Sequence, residues 1–368
     1  MSAPFSEPSA VRLRPVLGSL PAYVAGRPAP QIPGLTTFKI SSNENPYPPL
    51  PSVLGVIAEA AAEINRYPDM TNTEVRAAIA AFVGREADQV VVGPGSTGVL
   101  AQIMGAACDA GDEIVFAWRS FEAYPILAQL AGATPVTVPL TASGEHDLDA
   151  MAAAVTGRTR LVLLCTPNNP TGTSLGEAAV RAFLRRLPSD VAVVMDEAYG
   201  EFSRDAGHAD GLALQEEFPQ VIALRTFSKA FGLAGLRVGY GVAHPAIAEA
   251  LAKTAIPFGV NRLAQAAAIH SLGVVDELNE RVDALVAERE RVTAALAEQG
   301  WDLPDTQANF LYFPLGEASA AFDDACHEAG LVVRRFGAEG VRVSIGETEA
   351  NDRLLALAER LAGQRPLL

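Results

Sequence analysis

The feature that most constrains this chain is an alternation of short apolar runs with helix-like stretches, from about residue 88 to residue 242. The runs are rich in valine, isoleucine and leucine, and helical periodicity separates most of them from the next. This order predicts parallel strands covered by helices on both faces, with a ligand site at the carboxyl ends of the strands. The predicted strands are residues 89–92, 113–117, 134–140, 161–165, 191–195, 221–224 and 236–242.

A second unit follows a long predicted helix at residues 277–299. The same reading predicts strands for its apolar runs and helices for its amphipathic stretches. The predicted strands of this unit are residues 309–313, 331–334 and 341–345, and its helices are residues 318–329 and 350–362. Earlier helices are predicted at residues 53–65, 74–83 (capped by Thr73 or Asn72), 99–108, 124–130, 148–155 and 177–187.

The predicted fold class is therefore α/β, with a large, mainly parallel sheet sandwiched by helices and a smaller α/β domain. A chain of 368 residues is long enough for two or three domains. We expect a Pro-rich arm at residues 1–50 that joins the small domain, a large domain at 51–275, and a small domain at 276–368.

Composition and charge exclude several classes of function. A net charge of −15 argues against nucleic acid or an anionic membrane as a partner. Cys108, Cys165 and Cys326 are far apart and odd in number, which argues against a disulfide framework or a metal site and indicates a reducing cytoplasm. We see no signal peptide and no run of about 18 apolar residues, so we expect neither secretion nor a membrane span.

The residues best suited to catalysis and cofactor binding lie between Thr226 and Arg237. Lys229 follows two hydroxyl residues and precedes an apolar stretch. Desolvation there would lower the pKa of the ammonium and make the amine nucleophilic toward an aldehyde. Arg237, eight residues later, is suited to bind a phosphate with both arms of its guanidinium. A lone lysine is usually a solvated surface group, but this arrangement favours a Schiff-base site for pyridoxal 5'-phosphate.

Further motifs at strand ends supply partners for such a cofactor. Ser96 and Thr97 lie in a glycine-rich turn that opens a helix, where backbone N–H groups bind phosphate. Asp196 ends an apolar strand and could keep a pyridine ring electron-poor by pairing with its nitrogen. Tyr199 and Asn169 could reach the ring hydroxyl. Taken alone, each motif also fits an ordinary turn or helix cap.

The chain contains three distinctive sequence strings: Asn-Asn-Pro-Thr-Gly at 168–172, Asp-Glu-Ala-Tyr at 196–199, and Ser-Lys-Ala-Phe-Gly-Leu-Ala-Gly-Leu-Arg-Val-Gly-Tyr at 228–240. In the order and spacing of these strings the chain resembles the fold-type I pyridoxal-phosphate-dependent aminotransferases, in the branch of the histidinol-phosphate and aromatic amino acid (phenylalanine) aminotransferases. The resemblance covers about residues 15–365.

The resemblance implies a role for each cofactor-side residue. Lys229 would carry the cofactor and move a proton between it and the substrate α-carbon. Asp196 would face the pyridine nitrogen, Asn169 and Tyr199 the ring oxygen, and Phe121 the face of the ring. The residues implied to bind the phosphate are Ser96, Thr97, Thr226, Ser228 and Arg237.

The resemblance also implies residues that contact the partner subunit's cofactor and residues that contact the substrate. Tyr67 would reach the phosphate in a partner subunit, so the active form would be a homodimer. Tyr23 and Asn43 would lie near the substrate. Arg342 would anchor the substrate, and Arg334 is the second candidate, with a stronger alternative as an ordinary surface charge because Arg335 is its neighbour.

The predicted activity is transfer of the amino group of phenylalanine, tyrosine or tryptophan to a 2-oxoacid such as 2-oxoglutarate. The strings at 20–27 and 42–53 resemble phenylalanine aminotransferases more than enzymes of the histidine pathway, and Phe121 would give an apolar pocket wall. Histidinol-phosphate aminotransferase stays open as the alternative, and a threonine-phosphate decarboxylase is more remote. A non-catalytic regulator is disfavoured because the sequence shows no DNA-binding helical domain ahead of this fold.

Overall fold

The computed structural model describes residues 13–18, 20 and 32–362. Its strands are β1 (Phe38–Lys39), β2 (Val90–Gly93), β3 (Glu113–Trp118), β4 (Thr134–Pro139), β5 (Thr159–Cys165), β6 (Ala192–Asp196), β7 (Val221–Thr226), β8 (Gly239–Val242), β9 (Phe310–Phe313), β10 (Leu331–Val332), β11 (Arg334–Phe336) and β12 (Gly340–Ser344). Its helices are α1 (Pro51–Ala61), α2 (Thr73–Val83), α3 (Gly95–Ala107), α4 (Ala123–Ala131), α5 (Leu148–Ala153), α6 (Glu177–Leu184), α7 (Gly211–Gln215), α8 (Pro245–Ala252), α9 (Arg262–Gly273), α10 (Val275–Glu298), α11 (Ser319–Glu328) and α12 (Thr348–Ala362).

Seven strands form the main sheet in the order β2-β8-β7-β6-β5-β3-β4. Strands β4, β3, β5, β6 and β7 pair in parallel, as their helical connections require. Strand β8 pairs antiparallel with both β7 and β2. The prediction of a mainly parallel sheet is confirmed, and β8 is the strand that runs against the others. The physical reason is the connection from β7 to β8, which contains only a short 3-10 turn at Ala234–Leu236 and no crossover helix.

The central strands are buried because helices cover both faces of the sheet. Every residue of β6 from Val193 to Asp196 is buried, and only Arg160 of β5 is partly exposed. This burial explains why these strands are continuous apolar runs in the sequence rather than alternating patterns. It also forces the polar residues of the region to the strand ends, where β6 ends in Asp196.

One local prediction about a helix requires correction. Asn72 occupies the position before α2, but its side chain makes no capping hydrogen bond. Asp69 caps the helix instead, since its Oδ2 accepts the N–H of Thr73 at 2.6 Å.

Three helices, α7, α8 and α9, were not predicted from the sequence. In α9 the buried face is built from alanines, including Ala264 and Ala267, which give only weak apolar periodicity.

The C-terminal unit contains an antiparallel sheet in the order β11-β12-β9. The run predicted as one strand at 331–334 divides at Val333: β10 pairs in parallel with β1, whereas β11 pairs with β12. Through the β1–β10 pairing, the segment before α1 is joined to this unit. That pairing supports the division into an arm at 1–50, a large domain at 51–275 and a small domain at 276–368, which stays a prediction.

The described part of the chain shows no group of three or more His, Cys, Asp or Glu side chains arranged to hold a metal. No helix among the same residues has the length and apolar character needed to cross a membrane. Cys108, Cys165 and Cys326 are buried and form no disulfide.

Candidate active site

A cavity of about 270 Å³ lies where the carboxyl ends of β5, β6 and β7 meet the first turn of α3. Ligands bind at this kind of place in open α/β sheets. Ser42 and Glu44, from the segment before α1, also line the cavity. Most of the residues predicted to contact a cofactor lie on its wall: Ser96, Thr97, Phe121, Asn169, Asp196, Tyr199, Thr226, Ser228, Lys229 and Arg237.

Lys229 is half-buried in this cavity, on the loop that follows β7. Its Nζ donates a 3.0 Å hydrogen bond to the carbonyl oxygen of Ser42 and lies 5.7 Å from the centre of the Tyr199 ring. Burial, and then the positive charge of Arg342, lower the Lys229 pKa to about 7. A large fraction of the amine is therefore neutral near pH 7 and able to attack an aldehyde.

Aromatic packing fixes the loop that carries Lys229. Phe227 and Phe231 are buried, with ring centres 4.8 Å apart, and Phe227 also contacts Tyr240 at 5.7 Å. The N–H of Leu233 donates a 2.9 Å hydrogen bond back to the carbonyl oxygen of Phe227. The apolar residues around the lysine in the sequence therefore anchor its loop and exclude water from one side of it.

Asp196 is the last residue of β6 and is buried on the cavity wall. The phenol of Tyr124 donates a 2.6 Å hydrogen bond to its Oδ2, and the N–H of Ala198 donates to Oδ1 at 3.3 Å. Burial raises the Asp196 pKa to about 6, while these two hydrogen bonds act in the opposite direction. The carboxyl group is therefore mostly ionised at pH 7 and can pair with a cationic ring nitrogen.

The first turn of α3 approaches Arg237 closely because two glycines leave room. A Cβ on Gly95 would lie 2.3 Å from Nη2 of Arg237, and a Cβ on Gly239 would lie 2.3 Å from the backbone nitrogen of Ser96. Only glycine permits these approaches. They place the guanidinium beside the N-terminus of a 13-residue helix that also carries Thr97. A helix N-terminus with a guanidinium and hydroxyl groups suits a phosphate dianion.

Arg237 has a left-handed backbone conformation, with φ of 58°. A non-glycine residue in this region carries strain of about 1–3 kcal/mol, which is tolerated mainly at functional sites. Its Nη1 donates to Oγ of Ser228 at 3.2 Å and to the carbonyl oxygen of Ala234 at 3.1 Å. The N–H of Ser228 in turn donates to Oγ1 of Thr226 at 3.1 Å. The hydroxyl groups and the guanidinium therefore belong to one connected set.

Arg342 and Asn169 meet at the edge of the cavity, although they belong to distant parts of the chain. Nη1 of the buried Arg342 donates to Oδ1 of Asn169 at 2.5 Å, and Nη2 donates to the carbonyl oxygen of Ser41 at 2.6 Å. Because this bond uses the carboxamide oxygen of Asn169, its NH₂ group is the part suited to donate to a ring oxygen. Both of these acceptors are neutral groups.

Asn43 links the segment before α1 to the cavity. Its Nδ2 donates to the phenol oxygen of Tyr199 at 2.9 Å, and Oγ of Ser344 donates to its Oδ1 at 3.0 Å. Nδ2 of Asn309 donates to its carbonyl oxygen at 3.3 Å. Asn43 is buried and left-handed, with φ of 53°, a conformation that asparagine tolerates better than most residues. Its contacts orient the Tyr199 phenol toward the site.

Comparisons with known proteins agree with this geometry. Residues 36–357 match the sequence model of the family described as aminotransferase class I and II. The chain belongs to the class I and II aminotransferases. This assignment confirms the fold-type I resemblance that the three sequence strings indicated.

Relatives of this aminotransferase carry a consistent name. It is 54% identical over 349 residues to the aromatic amino acid aminotransferase of Streptomyces avermitilis, covering 95% of this chain and 97% of the relative. The protein of the same name from Rhodococcus jostii is 51% identical, with 94% and 95% covered. Among solved structures, the histidinol-phosphate aminotransferase of Sinorhizobium meliloti in complex with pyridoxal 5'-phosphate is 29% identical, with a TM-score of 0.86 and 98% and 99% covered.

Within the described residues, four of the predicted contacts of this aminotransferase do not lie on the cavity wall, and two of them, Asn43 and Arg342, are described above. Arg334 makes a 2.6 Å ion pair with Glu122. Tyr67 is 78% exposed, and its ring stacks on that of Phe258 at 4.5 Å. Tyr23 lies outside the described residues. The roles of these residues, like those of the residues on the cavity wall, stay predictions.

Sequence reasoning also missed residues that contribute to the site of this aminotransferase. Tyr124 begins a predicted helix, where its ring reads as one more apolar residue and nothing marks its phenol as functional. Ser42 contacts Lys229 through a backbone carbonyl, which no side-chain pattern reveals. Glu44 lines the cavity, and the only available signal was its place in the string that contains Asn43.

Proposed function

We propose that this aminotransferase binds pyridoxal 5'-phosphate and transfers the amino group of an aromatic amino acid to a 2-oxoacid such as 2-oxoglutarate. The observation that carries the proposal is the convergence of three groups in one cavity: the amine of Lys229, the carboxylate of Asp196 and the anion-binding set around Arg237. Proteins of this family depend on pyridoxal phosphate, and the Sinorhizobium meliloti structure contains it.

The groups on the cavity wall fit this cofactor chemically. The close approach that Gly95 allows between α3 and Arg237 provides cationic and N–H donors for the phosphate. Asp196 would hold a proton on the ring nitrogen, and Asn169 and Tyr199 would bind the ring oxygen. Phe121 lines the cavity and would cover a face of the ring. When bound, the cofactor acts as an electron sink that weakens the bond from the substrate α-carbon to hydrogen.

Lys229 would then act as the proton carrier of the reaction. Its pKa of about 7 lies close to neutral pH, where a general base can both accept and return a proton. The hydrogen bond from Nζ to Ser42 would hold the amine in place between transfers. The positive charge of Arg342 favours the neutral amine, which is the form that accepts a proton.

An aromatic substrate is supported by relatives that are about half identical over nearly their whole length. Arg342 would anchor the α-carboxylate, and Phe121, which lines the cavity, would give an apolar surface for the side chain. Histidinol phosphate is the second candidate, favoured by the fold similarity to the Sinorhizobium meliloti enzyme. The higher identity to the aromatic enzymes places phenylalanine, tyrosine and tryptophan first.

A homodimer is part of the proposal. The exposed Tyr67 stacks on Phe258, and the loops that carry these two residues, between α1 and α2 and between α8 and α9, also expose Ile64, Met70 and Ile256. A patch of this kind is typical of an interface between subunits. Tyr67 would then reach the phosphate of the partner subunit's cofactor. A cytoplasmic location also remains proposed, supported by the three buried free thiols.

Complementation between two inactive variants tests the dimer. In a mixture of Lys229→Ala and Tyr67→Ala chains that exchange subunits, each hybrid dimer has one intact site if Tyr67 acts across the interface. Random mixing should then restore about a quarter of the wild-type activity. No recovery in a mixture shown to contain hybrid dimers would mean that Tyr67 does not act in the partner's site.

The substrate is tested by a half-reaction screen. The holoenzyme is mixed with phenylalanine, tyrosine, tryptophan or histidinol phosphate, without a 2-oxoacid, and the absorbance of the bound cofactor is followed. The expected result is rapid conversion of the cofactor to its amino form by the aromatic amino acids. Rapid conversion by histidinol phosphate with none by phenylalanine would overturn the aromatic proposal.

A further inference from the structure

Two residues of the cavity wall lie on segments that leave neighbouring strands of the main sheet. Phe121 is on the segment that follows β3, and Asn169 is on the segment that follows β5. Each comes directly after a buried polar residue, Ser120 in the first segment and Asn168 in the second. Oγ of Ser120 donates a 2.8 Å hydrogen bond to Oδ1 of Asn168. The two segments are therefore joined one residue away from the side chains that line the cavity.

The carboxamide of Asn168 uses all of its hydrogen-bonding positions. Its Nδ2 donates to the carbonyl oxygen of Arg119 at 3.2 Å and to Oγ1 of Thr171 at 2.9 Å. Its Oδ1 accepts from Ser120 and also lies 3.3 Å from Nε2 of His146. Because the carbonyl oxygen of Arg119 can only accept, the NH₂ group faces it and the orientation of the amide is fixed. A buried amide with all of its partners in place is costly to disturb.

His146 is a neutral donor to this amide. It is buried, and burial lowers its pKa to about 4, so the ring is uncharged at pH 7. Since Oδ1 of Asn168 accepts from Nε2, that nitrogen carries the proton. His146 lies between β4 and α5, and β4, β3 and β5 are neighbours in the sheet. One side chain thus joins the segments that follow three consecutive strands.

The loop that carries Asn169 is closed onto Asn168 by its own backbone. The N–H of Asn168 donates to the carbonyl oxygen of Thr173 at 2.8 Å, and the N–H of Gly172 donates to the carbonyl oxygen of Asn168 at 2.7 Å. The hydroxyl oxygens of Thr171 and Thr173 are 3.1 Å apart. A displacement of Asn168 therefore carries Asn169 with it.

We infer that Asn168 is a positioning residue that sets the spacing between Phe121 and Asn169, and through it the fit of the cofactor ring. A binding site is held to within about 0.5 Å by residues of this kind, whose own side chains are locked by hydrogen bonds. The anion-binding set around Arg237 is built on α3 and on the segment between β7 and β8, so Asn168 should affect the ring and not the phosphate. The inference rests on the proposed function, because it assigns the residue that orients two of the proposed ring contacts.

The test titrates the apoprotein with two probes that form no covalent bond to Lys229. Pyridoxamine 5'-phosphate has the ring and the phosphate of the cofactor, and inorganic phosphate has no ring. In Asn168→Ala the affinity for pyridoxamine phosphate should fall by about tenfold, while that for inorganic phosphate should stay within about twofold of wild type. Ser120→Ala removes a single hydrogen bond of the amide, so it should lower only the affinity for pyridoxamine phosphate, by about threefold.

Gln215→Ala is the matched control. Gln215 is also a buried amide, and its Nε2 donates at 3.0 Å to the carbonyl oxygens of Val221 and Val242, at the start of β7 and the end of β8. These bonds lie at the opposite edge of the sheet from the cavity, because β8 is antiparallel to β7. Both affinities of this variant should stay within about twofold of wild type.

The inference is overturned if Asn168→Ala and Ser120→Ala bind pyridoxamine phosphate as tightly as the wild type. It is also overturned if they lose affinity equally for both probes, since that result indicates a general loss of structure. Ser120→Ala decides the question by itself if Asn168→Ala does not fold. A wild-type apoprotein that does not bind pyridoxamine phosphate would instead contradict the proposed function, so the two failures are distinguishable.

Discussion

The phenol of Tyr124 donates a 2.6 Å hydrogen bond to Oδ2 of Asp196, across 72 positions of sequence. Both residues are buried, Tyr124 at the start of α4 and Asp196 at the end of β6. Burial raises the Asp196 pKa to about 6, and the Tyr124 hydrogen bond counteracts that rise because it stabilises the charged form. The tyrosine therefore keeps the carboxylate ionised at the pH where it would face a ring nitrogen.

Tyr124→Phe should move the acidic limb of the activity profile upward. Without the phenol, the Asp196 pKa rises toward neutrality, so the carboxylate is protonated at a higher pH and activity is lost there. At pH 6.5 we expect a fall in kcat of about threefold, with recovery at pH 8.5. The measurement is the pH dependence of kcat. The ring contact with Phe116 is retained in the variant, so an unchanged profile would show that the hydrogen bond has no such role.

Gly95→Ala tests the anion-binding set. Its Cβ would lie 2.3 Å from Nη2 of Arg237, and the backbone there has φ of +77°, so both the guanidinium and the helix start must shift. We expect the affinity for pyridoxal phosphate to fall by at least about tenfold, as measured by titration of the apoprotein.

Gly105→Ala provides the control for this prediction. Gly105 lies in the same helix, with nothing within 4 Å of its added Cβ and with an ordinary φ. An alanine inside a helix is favoured by about 1 kcal/mol over glycine, so stability should increase slightly and cofactor affinity should not change. Equal affinities in the two variants would argue against the proposed phosphate position.

Lys229→Met should stabilise the apoprotein more at neutral pH than at alkaline pH. The lysine pKa is about 7 in the folded chain and about 10.4 in the unfolded chain. Between these values the unfolded chain binds the proton more strongly, so the wild type loses stability as the pH falls from about 10 to 7. The advantage of Lys229→Met should therefore be larger at pH 7 than at pH 10, by on the order of 3 kcal/mol.

Urea unfolding of the apoproteins at the two pH values measures this difference. Lys253→Met serves as the control, because the Lys253 side chain is 71% exposed in a surface pair. It should change the free energy of unfolding by no more than about 0.5 kcal/mol at either pH. An advantage of Lys229→Met that is the same at pH 7 and pH 10 would mean that the lysine is not desolvated in the fold.

Much of the architecture could be predicted because burial determines the sequence of the central strands. The ends of β5, β6 and β7 were located within a few residues, and so Cys165, Asp196 and Thr226 were correctly expected at one edge of a sheet. The direction of β8 could not be predicted, because it depends on the length of the connection from β7 rather than on the residues of β8 itself. Helix α9 was not predicted because its buried residues are mainly alanines, which give little hydrophobic periodicity.

Within the site, prediction worked for residues inside distinctive strings and failed for those that act through tertiary contacts. Lys229, Asp196 and Asn169 stand in such strings. Tyr124 reads as core, because its partner Asp196 is 72 positions away. The left-handed backbone of Arg237 is also invisible in a side-chain pattern.

The central claim is that Lys229 is the group that carries the cofactor and moves the proton. The most direct measurement is the single-turnover rate at which phenylalanine converts the bound cofactor, compared between the wild type and Lys229→Ala loaded with pyridoxal phosphate. The variant should be slower by about a thousandfold or more, and externally added methylamine should restore part of the rate. A Lys229→Ala enzyme that converts the cofactor at the wild-type rate would contradict the claim.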